Sequence, residues 1–295
     1  MQKEKKTNNP SMAKYSWLIA AIMIVLYGIY LLFGGADEAE TRATVSENPD
    51  FSIIFIDVGQ ADAALLRCEG ETMLIDGGNV ADSSTIYTVL EKNGVTHLDY
   101  VICTHAHEDH VGGLSGALQN CTADKIFCPV TDYDSKAFRN FVKYAEKQCG
   151  EITVPKPGEE FAFGGAVVDI LACDPSAAET NHTSIVAKIT YGETSFLFTG
   201  DAEEEVERML LEQNVDLSAT VLKVGHHGSS SSTSYWFLNE VMPRYAVISV
   251  GRDNSYGHPD ERVLSRLRDA NVTVFRTDEI GDVICTSDGK TVTFQ

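Results

Sequence analysis

From residue 50 onward, short apolar runs alternate with polar turns, and the runs predict strands and helices in turn. Phe51–Val58, Ala63–Cys68 and Thr72–Ile75 read as three consecutive strands. Ser84–Lys92 has helical spacing, and Tyr100–Cys103 reads as a further strand. Lys136–Gln148 places Phe138, Phe141, Val142 and Ala145 on one helical face. Strands follow at Val167–Ala172, Ser184–Tyr191 and Thr194–Thr199. The helix over Ala202–Gln213 gathers glutamates at its N-terminal end, where the helix dipole favours them. A strand at 219–224, a helix at 233–241, a strand at 245–250, a helix at 259–269 and a strand at 272–276 continue the alternation. A hairpin, 281–286 with 291–294, turns at Asp288-Gly289. The two halves are alike, which implies an α/β fold of two mixed sheets packed together with helices outside.

One stretch breaks the pattern. Trp17–Phe33 carries no charge, has Tyr15, Trp17 and Tyr30 near its ends as interfacial anchors, and is close to the lower limit for a membrane-spanning helix. Lys3, Lys5, Lys6 and Lys14 precede it, and Asp37, Glu38 and Glu40 follow. The positive-inside rule therefore makes 1–16 a cytoplasmic tail and 17–33 a single-pass anchor, with the bulk of the chain extracellular. A signal sequence cleaved near Gly34-Gly35-Ala36, giving a secreted protein, is the competing reading, but the apolar run exceeds a usual signal core. Residues 34–49 read as a flexible acidic linker, and 50–295 as one domain.

Composition is that of a globular protein, 43% hydrophobic and 22% charged, and the formal net charge is −20. The tail before Trp17 has four Lys and one Glu, so it contributes +3 and the remainder carries −23. Such a body is poorly suited to capturing nucleic acid by counterion release. The seven cysteines form no C-x-x-C pair, and Cys68, Cys103, Cys173 and Cys285 lie in apolar runs as small hydrophobes.

Candidate chemistry sits at strand ends. Thr104-His105-Ala106-His107-Glu108-Asp109-His110 follows the Tyr100–Cys103 strand. Its i, i+2 histidine pair can hold one metal, and Asp109 and His110 point to a second a few ångströms away. Asn181-His182-Thr183-Ser184, Gly200-Asp201, Gly225-His226-His227-Gly228 and Tyr256-Gly257-His258-Pro259 occupy equivalent positions beside other strands. Loops at strand ends converge in α/β sheets, so these clusters are expected to meet. His97 stands alone and reads as structural or surface. Asp57 and Asp76, ending the first strands, are expected to orient the histidines through hydrogen bonds, with Asp62 a structural cap. Ser229–Ser234 opens the 233–241 helix, and a helix N-terminus with free N–H groups and serine hydroxyls suits an anion, phosphate above all.

The segments FIDVGQADA (55–63), LIDGG (74–78), THAHEDHVGG (104–113), NHTSIVAKITYG (181–192), FLFTGD (196–201), LKVGHHGSSSSTS (222–234) and NSYGHP (254–259) resemble the metallo-β-lactamase superfamily. Within it the chain is similar to the ComEC-type domain of competence proteins, with phosphorylcholine esterases a related branch. The resemblance implies a four-layer αββα sandwich and a metal-dependent hydrolase. It assigns His105, His107 and His182 to one ion, Asp109, His110 and His258 to the other, and Asp201 as the bridge. It also makes Asp109 part of the catalytic apparatus. The branch often carries Asn where His182 stands, so the extra imidazole is expected to favour an intact pair of sites. Six nitrogen or oxygen ligands and a shared carboxylate suit two divalent ions, Zn, Mn or Fe, without choosing among them. His226 and His227 are open to two readings, one a ligand in place of His258, the other substrate contacts or proton donors over the site. The second is favoured.

The expected activity is phosphodiester hydrolysis by a hydroxide between two ions, on a cell-wall polymer or a nucleic acid. No obligate protein partner is implied. Asp201 in place of Cys disfavours a β-lactamase, the acidic charge disfavours a DNA nuclease, and the complete ligand set disfavours a non-catalytic metal-binding module.

Overall fold

Strand β1 (Phe51–Phe55) shows how the sequence pattern becomes layers. Phe51, Ile53 and Phe55 are buried between two sheets, while Ile54 packs on the opposite face beneath helices. The computed structural model describes residues 49–295, so the predicted tail, anchor and linker up to Asn48 lie outside the described residues. Among the described residues no helix is long and apolar enough to cross a membrane.

The first sheet is built from β1, β2 (Ala64–Cys68), β3 (Glu71–Ile75), β4 (His97–Ile102), β5 (Thr122–Phe127), β13 (Val283–Ser287) and β14 (Val292–Phe294). Its spatial order is β14-β13-β1-β2-β3-β4-β5, parallel from β3 to β5 and antiparallel elsewhere. The second sheet contains β6 (Glu160–Phe163), β7 (Ala166–Ala172), β8 (Val186–Tyr191), β9 (Thr194–Phe198), β10 (Val221–Lys223), β11 (Tyr245–Ile248) and β12 (Thr273–Arg276). Its order, β12-β11-β10-β9-β8-β7-β6, is parallel from β9 to β12. The sheets meet through an aromatic core in which the Phe51 and Phe196 rings stack at 4.7 Å and Phe55 and Phe198 at 5.8 Å.

Helices cover both outer faces. On the first sheet lie α1 (Ser83–Lys92), α2 (Glu108–Val111), α3 (Leu114–Asn120) and α4 (Lys136–Cys149), burying Ile86, Leu118, Phe138 and Phe141. On the second, α5 (Glu204–Gln213), α6 (Tyr235–Val241) and α7 (Glu261–Asp269) bury Leu210, Phe237 and Leu267. A short α8 (Thr277–Ile280) follows β12. The result is two mixed sheets sandwiched between helices, as the resemblance implies.

The sequence pattern predicts no strand at β5 or β6, and the remaining differences lie mostly at element ends. The first strand stops at Phe55, because beyond it the chain turns away and Asp57 N–H donates to Asp282 Oδ1 at 2.8 Å. The helix start expected after the histidine turn is α2, which is only one turn long because Gly112 and Gly113 interrupt it, and α3 is absent from the pattern. Glycine is needed there: a Cβ on Gly113 would lie 2.0 Å from Gly77 O. Six cysteines are buried as apolar filler, Cys149 is half-buried, and all seven are free thiols.

Candidate metal centre

The parallel runs β3-β4-β5 and β9-β10-β11 end on the same side of the sandwich, and the loops leaving them bring the chemistry together. After β4 the chain passes through His105 and His107 into α2, which carries Asp109 and His110. After β9 it turns at Gly200 into Asp201, and after β10 it enters the turn holding His226 and His227. Those two histidines and Asp76 adopt left-handed backbone angles, with φ of 48°, 52° and 58°. For a non-glycine residue this costs roughly 1–2 kcal/mol, a strain typical of residues held in place for function.

Asp201, 2% exposed, is the hub. Its Oδ1 lies 3.2 Å from His110 Nε2 and 3.8 Å from His227 Nε2. Its Oδ2 lies 3.8 Å from His105 Nε2 and 3.7 Å from His226 Nε2. His227 Nε2 is also 3.4 Å from Asp109 Oδ2, and His105 Nε2 is 3.1 Å from His107 Nδ1. The donor atoms of Asp109, His110, Asp201 and His227 all fall within 4.8 Å of one another. Three of these atoms, His110 Nε2, Asp201 Oδ1 and His227 Nε2, are buried with no hydrogen-bond partner among the described residues. Each such orphan costs about 1–3 kcal/mol, and a cation shared among them satisfies all three. The donor set therefore fits a divalent ion, and nitrogen and carboxylate donors suit several first-row metals.

Buried groups behind the ring set its orientation. Asp76 accepts from Thr104 N–H and from the Thr104 hydroxyl, both at 2.7 Å, and its Oδ2 holds His110 Nδ1 at 2.8 Å. Asp57 does not reach the histidines; it is exposed and accepts from Gly59 N–H at 3.1 Å. Asp62 is no turn cap. It forms a buried ion pair with Lys223 at 2.8 Å and sits 3.3 Å from His227 Nδ1, which also meets Ser249 O at 3.1 Å.

These contacts set the protonation of the metal-free chain. Burial alone would push His227 down, but Asp201 and Asp62 outweigh it and raise it to about 10. His110 is likewise driven down by burial and then well above its usual range by Asp201 and Asp76. Burial works against ionised Asp109, yet the close approach of His227 Nε2 at 3.4 Å holds it at about 2. Protons on His110 and His227 thus balance the carboxylates until a metal displaces them. Ion loading at pH 7 should release about two protons per chain, with affinity falling as pH drops. Calorimetry in two buffers of different ionisation enthalpy measures the count, and a value near zero would show that both imidazoles are neutral beforehand.

The structure brings His105, His107, Asp109, His110 and Asp201 together, with His227 in the position expected of His258. His258 lies further out on the cavity wall, its ring 5.9 Å from that of His226. His182 does not reach the centre. Its Nε2 faces Glu203 at 3.1 Å and its Nδ1 faces Glu205 at 3.6 Å. It belongs to the 3₁₀ turn Thr180–Thr183, where successive side chains point about 120° apart, so only one of Asn181 and His182 can face inward. Asn181 lines the cavity instead.

That cavity, about 330 Å³, also presents Gln60, Glu108, His226 and Tyr256, and among the described residues no Lys or Arg lines its wall. Tyr256 is 71% exposed and stacks on His258. The expected anion site before α6 is already filled from within. Buried Glu207 accepts from Thr233 N–H and from Ser234 N–H, the latter at 2.9 Å. Glu203 and Lys223 stand outside the ligand clusters that the sequence offers, and within Asn181-His182 the motif points to the histidine. Lys223 carried a signal, as the one charge inside the apolar run Val221–Val224. Glu203 had none beyond its nearness to Asp201.

Comparisons with known proteins agree with the fold. The description "Metallo-beta-lactamase superfamily" matches residues 56–252. The chain is 29% identical over 247 residues to ComE operon protein 3 of Bacillus subtilis (strain 168), covering 77% of this chain and 32% of that protein. It is 31% identical over 239 residues to competence protein ComA of Neisseria gonorrhoeae, covering 80% and 32%. The chain therefore spans about a third of the length of these relatives. The solved metallo-beta-lactamase fold protein YhfI from Bacillus subtilis is similar in fold, with a TM-score of 0.52 at 13% identity, covering 83% of this chain and 100% of that one.

Proposed function

The chain belongs to the metallo-beta-lactamase superfamily, and from that premise we propose that it is a two-ion hydrolase of phosphodiesters. The observation that carries the reading is Asp201, whose two oxygens face separate sets of imidazoles, with its own Oδ1 and the Nε2 atoms of His110 and His227 left without hydrogen-bond partners. When bound there, a pair of divalent ions, Zn or Mn, supplies Lewis-acid polarisation and a lowered pKa for water, the arrangement suited to in-line displacement at phosphorus.

The chain's own residues do the rest. Asp201 ties the two half-sites together, and Asp76 and Asp62 fix the imidazoles of His110 and His227 from behind. His226 presents Nε2 to the site because its Nδ1 is held by Glu203 at 3.2 Å, and as an imidazolium paired with that carboxylate it would donate the Nε2 proton to the leaving oxygen. Gln60 and Tyr256 line the cavity and contact the substrate beyond its phosphate. A wall that among the described residues holds no Lys or Arg favours a single phosphodiester presented to the ions over a long polyanion gripped along its backbone. A wall-polymer linkage or a nucleic-acid end meets that requirement. In this reading the lysine-rich tail and the 17–33 run anchor the chain, with its hydrolytic domain on the outer face of the membrane.

The metal-stripped full chain should be inactive on bis(p-nitrophenyl) phosphate and regain turnover with Mn or Zn. Absence of turnover with either metal, alongside hydrolysis of a carboxylic ester, would replace the phosphodiester assignment.

A further inference from the structure

The two halves of the centre are unequally built. On one side Asp109, His110, Asp201 and His227 already crowd their donor atoms within 4.8 Å, and two of the four are carboxylates. Both imidazoles are buried and held at their far nitrogens, His110 by Asp76 at 2.8 Å and His227 by Ser249 O at 3.1 Å with Asp62 behind it.

On the other side stand His105 and His107, and the one carboxylate that faces them among the described residues is the shared Asp201. Its Oδ2 also meets His226 Nε2 at 3.7 Å, while His226 Nδ1 turns to Glu203 at 3.2 Å. Behind His105 there is no carboxylate among the described residues, only the Thr104 hydroxyl at 3.3 Å from Nδ1, and His107 is half-buried. The turn facing this side contributes Asn181. Its neighbour Thr180 bonds Tyr133, whose ring packs 6.3 Å from that of His107. Asn181 Nδ2 donates to Glu203 at 3.4 Å, which leaves Oδ1 buried and without a partner among the described residues. That oxygen is an uncharged donor on the wall of the cavity that His107 also lines.

We propose that the half-sites fill in order. One ion is retained by Asp109, His110, Asp201 and His227, and a second exchanges at His105, His107 and Asn181. The concentration of free divalent cation then sets the fraction of chains competent for hydrolysis. The proposal rests on the two-ion reading above. Its physical basis is donor charge and orientation. Fewer charged donors lower affinity, and loss of the outer partners that hold a ligand typically lowers it by about 10-fold to 100-fold.

The test is calorimetric titration of the chelator-stripped full chain with Zn²⁺, with metal analysis after gel filtration. Two steps separated by at least about tenfold are expected, with one ion per chain surviving filtration. Asn181→His should tighten the weaker step alone by about tenfold or more. Asn181→Asp, closer in shape, should shift it in the same direction. Asp109→Asn should weaken the tighter step. Equal constants in the unmodified chain overturn the order of filling. So do substitutions at Asn181 that leave the weaker step in place, or an Asp109→Asn effect confined to that step. A single ion at every concentration with phosphodiester hydrolysis intact overturns the order while sparing the phosphodiester assignment. No bound ion at all removes both.

Discussion

Replacing Asp201 with Asn should lower turnover of an activated phosphodiester by at least about 10³-fold, beyond the 10-fold to 100-fold loss usual for a residue that only supports a ligand. Asp201 faces both half-sites at once, so one substitution removes charge from each. The change is nearly isosteric, and the backbone around it is held independently by Asp201 N–H donating to Ser184 Oγ at 3.2 Å. The fold should therefore survive, as far-ultraviolet circular dichroism would record. Metal analysis should show bound ion falling together with turnover. An Asp201→Asn variant that keeps its activity would end the two-ion mechanism, since no other carboxylate among the described residues spans the gap.

The second large effect is expected at a residue with no side chain to offer the site. Gly113→Ala should destabilise the domain by about 3 kcal/mol or more, because the new methyl meets backbone instead of a movable side chain. Its Cβ would sit 2.0 Å from Gly77 O and 3.1 Å from Gly77 C. At about 2–4 °C per kcal/mol for a domain of this size, the melting temperature should fall by roughly 6–12 °C. The strain also passes to the metal centre, because Gly77 N–H donates to His110 O at 2.7 Å. Loss of metal affinity should accompany the loss of stability. Gly94→Ala is the control. It has the left-handed φ of +66° but nothing within 4 Å, so its cost should be confined to about 1–2 kcal/mol of backbone strain. Equal melting temperatures for the two variants would show that the segment after α2 shifts freely.

Much of the fold was written in the chain's periodicity. Strands such as Phe51–Phe55 carry the alternation that buries one face between the sheets, and α4 carries the 3.6-residue spacing that sets Phe138 and Phe141 on the first sheet. The His-x-His-x-Asp-His run was legible for a similar reason: its donors are close in sequence, and a short turn followed by one helical turn brings them close in space. Asp201 was legible from its position at a strand end. These features depend on local geometry, which residue type and spacing determine.

The partners across long sequence separations were decided by tertiary structure alone. Whether His227 or His258 completes the ring depends on how β10 and β11 seat their loops, and both histidines follow the same kind of strand. Asn181 and His182 are neighbours on one tight turn, and its rotation, set by Ile185 N–H on Thr104 O at 2.9 Å, selects which of them faces the cavity. Glu207 occupies the N–H groups that an incoming anion was expected to use, a contact between residues 26 and 27 positions apart. By itself, then, the sequence determined the layers, the family and most of the ligand types. Which side chain fills each position is a matter of direction in three dimensions. One residue of register, or one rotation of a turn, reverses that direction without changing the sequence pattern.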